Sequence, residues 1–91
     1  MKDMNDNIIG YFASSLAGHD KATVYIIIKE DGDNVYLADG RLKTVDNLKK
    51  KKKRHIQIIK KQDAVIKSKI TNNQTVTNED IKYAIKQLIK N

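Results

Sequence analysis

Six consecutive cations, Lys49 to Lys53 followed by Arg54, stand in the middle of a chain of 91 residues. A small domain cannot bury such a run, because carrying unpaired charges out of water costs more than its folding stability. The run must therefore lie at the surface, with its flanks anchored by other residues. Upstream, Ala38-Asp39-Gly40 carries a turn signal; downstream, His55-Ile56-Gln57-Ile58 alternates polar and apolar residues as a half-buried strand does. The stretch from Ala38 to Gln57 thus reads as a cationic loop tied down at both ends.

The charge is concentrated there. Residues 41–69 hold 12 cations against Asp46 and Asp63, a net of +10, whereas residues 1–40 carry −4 and residues 70–91 carry +1. Only Arg41 and Arg54 among the 18 cations are arginines, leaving 16 lysines. Lysine is a point charge and arginine a planar fork, so the balance favours delocalised attraction to phosphates over bidentate reading of bases.

The length allows one small domain, able to bury roughly 60 to 65% of the surface its unfolded chain exposes. With no cysteine, neither a disulfide frame nor a thiolate metal site is available, which fits a reducing, cytoplasmic setting. The longest apolar run, Val24 to Ile28, is far short of the ~20 residues that a membrane span needs. Residues 1–7, with Asp3 and Asp6, read as a flexible terminus and not as a secretion signal.

In chain order, Ile8 to Ala13 reads as a first strand in which Gly10 marks a bulge or a close backbone approach. A loop over Ser14 to Lys21 follows, and then Ala22 to Lys29, rich in Thr, Val, Tyr and Ile, whose continuous apolar character predicts a strand covered on both faces. Asp31 to Asn34 closes a hairpin onto Val35–Ala38, Asp39-Gly40 turns the chain into a short strand over Arg41 to Val45, and His55 to Ile58 supplies a fifth. Five short antiparallel strands are expected to curl into a small barrel, which removes exposed edges. Gln62 to Lys69 is ambiguous between helix and strand and is assigned to helix. Thr77 or Asn78 caps a last helix whose apolar stripe is Ile81, Ala84, Ile85, Leu88 and Ile89.

Little in the sequence points to catalysis. His19 and His55 lack metal-ligand spacing, no nucleophile elbow or phosphate-binding glycine loop occurs, and Asp31 and Asp33 flank a turn glycine. A non-enzyme without cofactor or metal is expected. The cation run has a stronger reading, since six like charges side by side repel one another and a polyanion relieves that repulsion. Nothing apolar in the run would insert beside a membrane surface, so nucleic-acid phosphate is the preferred partner. Tyr11, Phe12, Tyr25, Tyr36 and Tyr83 could stack on bases, although on strands such residues more often build cores.

Several of these pieces also resemble the KOW-motif domains, in particular small bacterial KOW-domain RNA-binding proteins similar to archaeal and eukaryotic large-subunit ribosomal proteins. They are Ala17-Gly18-His19-Asp20-Lys21 before the strand Val24 to Ile28, Ala38-Asp39-Gly40 leading through Arg41 to Lys43, the run Lys49 to Lys53 closed by Arg54-His55-Ile56, and Thr77-Asn78-Glu79-Asp80-Ile81-Lys82 near the end. The chain departs from the pattern at Ala22, where a second glycine is usual, and at Asn47-Leu48, where a proline is expected. The resemblance implies an SH3-like five-stranded barrel over residues 8–60 and a helical extension over 61–91. It further implies binding to RNA, foremost ribosomal RNA or the large ribosomal subunit. By position, His19 and Lys21 would form one binding loop, and Arg41, Lys43, Lys49, Lys50, Lys51, Lys52, Lys53, Arg54 and His55 a second surface. A protein-interaction adaptor of the transcription-factor KOW type is the alternative, and a non-specific DNA-coating protein a third.

Overall fold

The computed structural model describes residues 8–16 and 23–90. Strands β1 Tyr11–Ser15, β2 Val24–Asp31, β3 Asn34–Ala38, β4 Lys49–Lys52 and β5 Ile56–Gln62 precede helices α1 Ala64–Thr71 and α2 Asn78–Lys90. The strands form one antiparallel sheet in the order β4-β3-β2-β1-β5. The number of strands and the following helices agree with the sequence reading. The identity of the fourth strand does not.

Arg41 to Val45, expected to be a strand, is a series of bends and turns. The Asp39 carboxylate accepts the amides of Arg41 and Lys43, both at 2.9 Å, while the amides of Asp39 and Gly40 donate to the Lys43 carbonyl at 2.9 and 3.1 Å. Backbone groups consumed locally in this way are not available to a ladder. The lysine run, expected to be a loop, supplies the strand instead, with Lys49, Lys50, Lys51 and Lys52 opposite Leu37, Tyr36, Val35 and Asn34. Lysine is a poor strand former in general, yet at a sheet edge its charge blocks further pairing.

Smaller shifts have local causes. β1 begins at Tyr11 rather than Ile8 and takes in Ser14, which pairs with both neighbouring strands, and Ser15, which pairs with Ile56 of β5. Gly10 has φ +87° and its absent Cβ would lie 3.1 Å from Lys67 Cβ, so it serves the close approach expected of it, whereas the irregularity that follows between Tyr11 and Phe12 places its extra residues on β5. His55 belongs to a single 3-10 turn, Lys53–His55, that joins β4 to β5.

That turn determines the shape of the sheet. In a flat sheet, four inter-strand spacings, about 19 Å, would separate β4 from β5. Three residues of 3-10 helix span only about 6 Å. The sheet must therefore roll until its two edges approach, and a contact across it shows that it does. Lys51 Nζ of β4 donates to Ser15 Oγ of β1 at 3.0 Å, although β3 and β2 lie between them. The edges do not pair with each other, so the barrel is not closed as expected, and the lysines of β4 guard one open edge.

β2 explains why its run is continuously apolar. Tyr25 and Ile27 point into the concave side with Ala13, Val35 and Leu37, whereas Ile26 joins Phe12 and Ala38 on the convex side, beneath Ile66 of α1 and Ile81 and Ala84 of α2. The helices thus complete a second core, and α2 packs on its own sheet. Asp63 caps α1 by accepting the amide of Ile66 at 2.9 Å, and Asn73 (φ +57°) ends it with Gln74 N–H donating to the Lys69 carbonyl at 2.7 Å. Thr77 caps α2 reciprocally: its hydroxyl accepts the Asp80 amide at 3.1 Å and the Asp80 carboxylate accepts the Thr77 amide at 3.0 Å. Asn78 accepts the Val45 amide at 2.9 Å instead, tying the helix start to the turn after β3. No described helix is long and apolar enough to cross a membrane.

Candidate nucleic-acid interface

Strand geometry sorts the lysines of the run by face. Successive side chains alternate across a sheet, and directly opposed residues share a face. Lys49 and Lys51 oppose the fully buried Leu37 and Val35 and therefore point to the concave side. Lys51 Nζ crosses that side to donate to Ser15 Oγ of β1 at 3.0 Å, and Lys49 Nζ lies 5.8 Å from the centroid of the Tyr25 ring. Their stems cover the open end of the concave core while their amines reach polar or aromatic partners. Lys53, the first residue of the 3-10 turn, pairs with Glu30.

Lys50 and Lys52 face outward and are exposed. Lys50 stands opposite Tyr36, and Tyr36 opposite Lys29 on β2, so one row across three strands reads Lys29, Tyr36, Lys50. Lys29 Nζ sits 5.4 Å from the Tyr36 ring centroid. The row presents a half-buried aromatic face between two exposed ammonium groups. Exposed Arg54 follows in the 3-10 turn, where a shallow pocket of about 220 Å³ is lined by Asp33, Lys52, Lys53 and Arg54. Asp33 beside this pocket, and Asp31 in the row that leads through Asn34 to Lys52, weaken the positive field at that end. The row through Tyr36 contains no acid. Such a surface can hold a polyanion by ammonium–phosphate attraction and offers one ring for a base to stack on.

The residues expected to form the site are therefore not all brought together. Lys50, Lys52, Arg54 and exposed His55 lie along or just beyond β4, while Lys49, Lys51 and Lys53 are engaged elsewhere. Arg41 and Lys43 lie past the Ala38 end of β3, whereas Arg54 lies past the Asn34 end, a strand length of about 15 Å away. His19 and Lys21 lie outside the described residues. Lys29 was missed by sequence reasoning. It ends an apolar run with no other cation beside it, and only the pairing register reveals its place against Tyr36.

No group of three or more His, Cys, Asp or Glu that could hold a metal ion occurs among the described residues. No family model matches the chain, and no curated protein matches it either.

Proposed function

We propose that this protein is a non-catalytic RNA-binding domain, an SH3-like barrel of the KOW kind that associates with ribosomal RNA through the outward face of β4. The observation that carries the reading is the row Lys29, Tyr36, Lys50, continued by Lys52 and Arg54: exposed cations held in fixed register around an aromatic ring. The strand order, with both edge strands joined by one 3-10 turn, supports the barrel assignment. The sequence resemblance supports the choice of RNA. A groove-reading DNA-binding helix is a poorer fit, because the solvent side of α2 presents Lys82, Tyr83, Lys86 and Lys90 but neither Arg nor Asn to read base edges.

Sedimentation of cell lysate through sucrose gradients at low and high salt, with the protein followed by immunoblot, tests this function. Co-migration with the large ribosomal subunit that disappears as salt rises is the expected result. A protein that remains at the top of the gradient at low salt would instead favour the adaptor alternative.

A further inference from the structure

Helix α2 carries more apolar surface than its contact with the sheet consumes. Of its expected stripe, Ile81, Ala84, Ile85 and Leu88 pack against the convex core, but Ile89 is 68% exposed. Helical periodicity puts Ile89 about 80° round the axis from Ile81, at the border of the stripe. Tyr83 on the same outer face is 66% exposed, and Leu42, on the turn after β3, is 83% exposed. Between α2 and that turn runs a groove of about 690 Å³ whose apolar lining comes from Tyr83, Ile85 and Ile89. Arg41, Lys82, Lys86 and Lys90 surround it. Its one acid, Asp39, already has Oδ1 engaged by two backbone amides, and Lys82 is partly neutralised by Glu79 at 3.1 Å.

We propose that this groove docks an acidic amphipathic segment of a partner protein, with its apolar side chains against Tyr83 and Ile89 and its carboxylates toward Arg41, Lys86 and Lys90. The volume lies within the ~300 to 1,000 Å³ typical of small-molecule ligand pockets, enough to take up apolar side chains of a docked segment. The rim charge selects an acidic occupant. A symmetric contact with a second copy would press the same cations together, and a bare phosphate backbone would leave the apolar lining unused. The inference does not rest on RNA binding, because the groove lies beyond the Ala38 end of β3 and the proposed RNA face extends toward the other end.

The test uses the full chain and a synthetic helical peptide with Leu at i, i+3, i+4 and i+7 and Glu elsewhere, alongside a scrambled peptide of equal composition. Binding is followed by fluorescence anisotropy and by an NMR amide map. The expected result is a Kd at or below about 100 µM, at least ~fivefold weaker binding of the scrambled peptide, and shifts centred on Leu42, Tyr83 and Ile89. The exposed double variants Tyr83→Ser/Ile89→Ser and Arg41→Gln/Lys86→Gln, shown by circular dichroism to stay folded, should each lose at least ~fivefold in affinity. Equal affinity for the scrambled peptide, shifts centred on Lys50 and Lys52, or no binding at ~1 mM peptide would each overturn the proposal. So would a dimer that Tyr83→Ser/Ile89→Ser dissolves, which would give the groove to a second copy, or displacement of the peptide by oligouridylate, which would give it to RNA.

Discussion

Lys51 stands directly opposite Val35 across the β3–β4 pair, and this register position decides which lysines of the run can meet a partner. Val35 is fully buried on the concave side, so Lys51 and its i−2 neighbour Lys49 share that side, and Lys50 and Lys52 are left outward. A run that looks like six equivalent cations in the sequence becomes two outward lysines and Arg54, with Lys29 joining from β2.

The salt dependence of RNA binding should reflect this sorting. Neutralising ~6 phosphates would give a slope of log K against log salt of roughly −4 to −5, but the four outward cations give about −3 to −4. Titrations of the protein with large-subunit ribosomal RNA across a salt series measure the slope directly. A value steeper than about −4.5 would mean that the inward lysines also reach phosphate.

Two glycines of similar backbone conformation should respond very differently to alanine. Gly40 (φ +79°) would place a Cβ 2.7 Å from the Asn78 carbonyl oxygen and 2.8 Å from Lys82 Cγ, whereas Gly32 (φ +61°) has nothing within 4 Å. Gly32→Ala should cost about 1 kcal/mol, the cost of left-handed backbone alone, and Gly40→Ala about 3 kcal/mol or more, because α2 must also move. Urea denaturation of both variants checks this, and equal costs would mean that α2 does not rest on the β3 turn.

Ile81 of α2 and Ile66 of α1 share a buried cluster with Phe12, Ile26 and Ala38 of the sheet. Truncating Ile81 to alanine should therefore destabilise the whole domain by about 2 to 5 kcal/mol within a single unfolding transition. Circular dichroism and tyrosine fluorescence should give coincident midpoints. Separate transitions for helix and sheet would show that the helices are an independent appendage.

The link between the helices should titrate. Lys69 Nζ bonds the Asp80 carboxylate at 2.8 Å, and this bond, followed by the Thr77 amide, holds the Asp80 pKa below its ordinary value of 3.8. A carboxyl group whose pKa is depressed by folding adds stability above its unfolded pKa and loses it as the pH falls through the lowered folded value. Wild type should thus exceed Asp80→Asn in stability at pH 6, and the gap should close as the pH drops below 3.8. A gap independent of pH would assign the difference to the cap geometry alone.

What could be read in the sequence follows the range of the forces involved. Local signals sufficed for α2, where Thr77, Glu79 and Asp80 mark the start, and for the hairpin at Gly32, where short polar residues flank a glycine. The apolar run of β2 also disclosed that both its faces are covered. Lys49–Lys52 was misread because nothing local makes four lysines a strand; their conformation comes from hydrogen bonding to β3 and from the roll that lets Lys51 reach Ser15. Arg41 to Val45 has more strand-like residues, but the Asp39 side chain competes for its amides. Lys29 and Ile89 have their roles set by register and by the edge of a helical stripe, neither visible until the partners are known.

The central claim is that the position of a lysine on β4 matters, not merely its charge, and paired substitutions of equal charge test it most directly. Lys50→Gln/Lys52→Gln and Lys49→Gln/Lys51→Gln each remove two cations, and filter binding to purified large-subunit ribosomal RNA compares them with the parent protein. The outward pair should weaken binding about tenfold or more with stability within ~0.5 kcal/mol of the parent. The inward pair should weaken it less than ~threefold while losing about 0.5 to 1.5 kcal/mol of stability with the Lys51–Ser15 bond. Equal losses of affinity would reduce the interface to net charge, and a larger loss from the inward pair would contradict the proposed face.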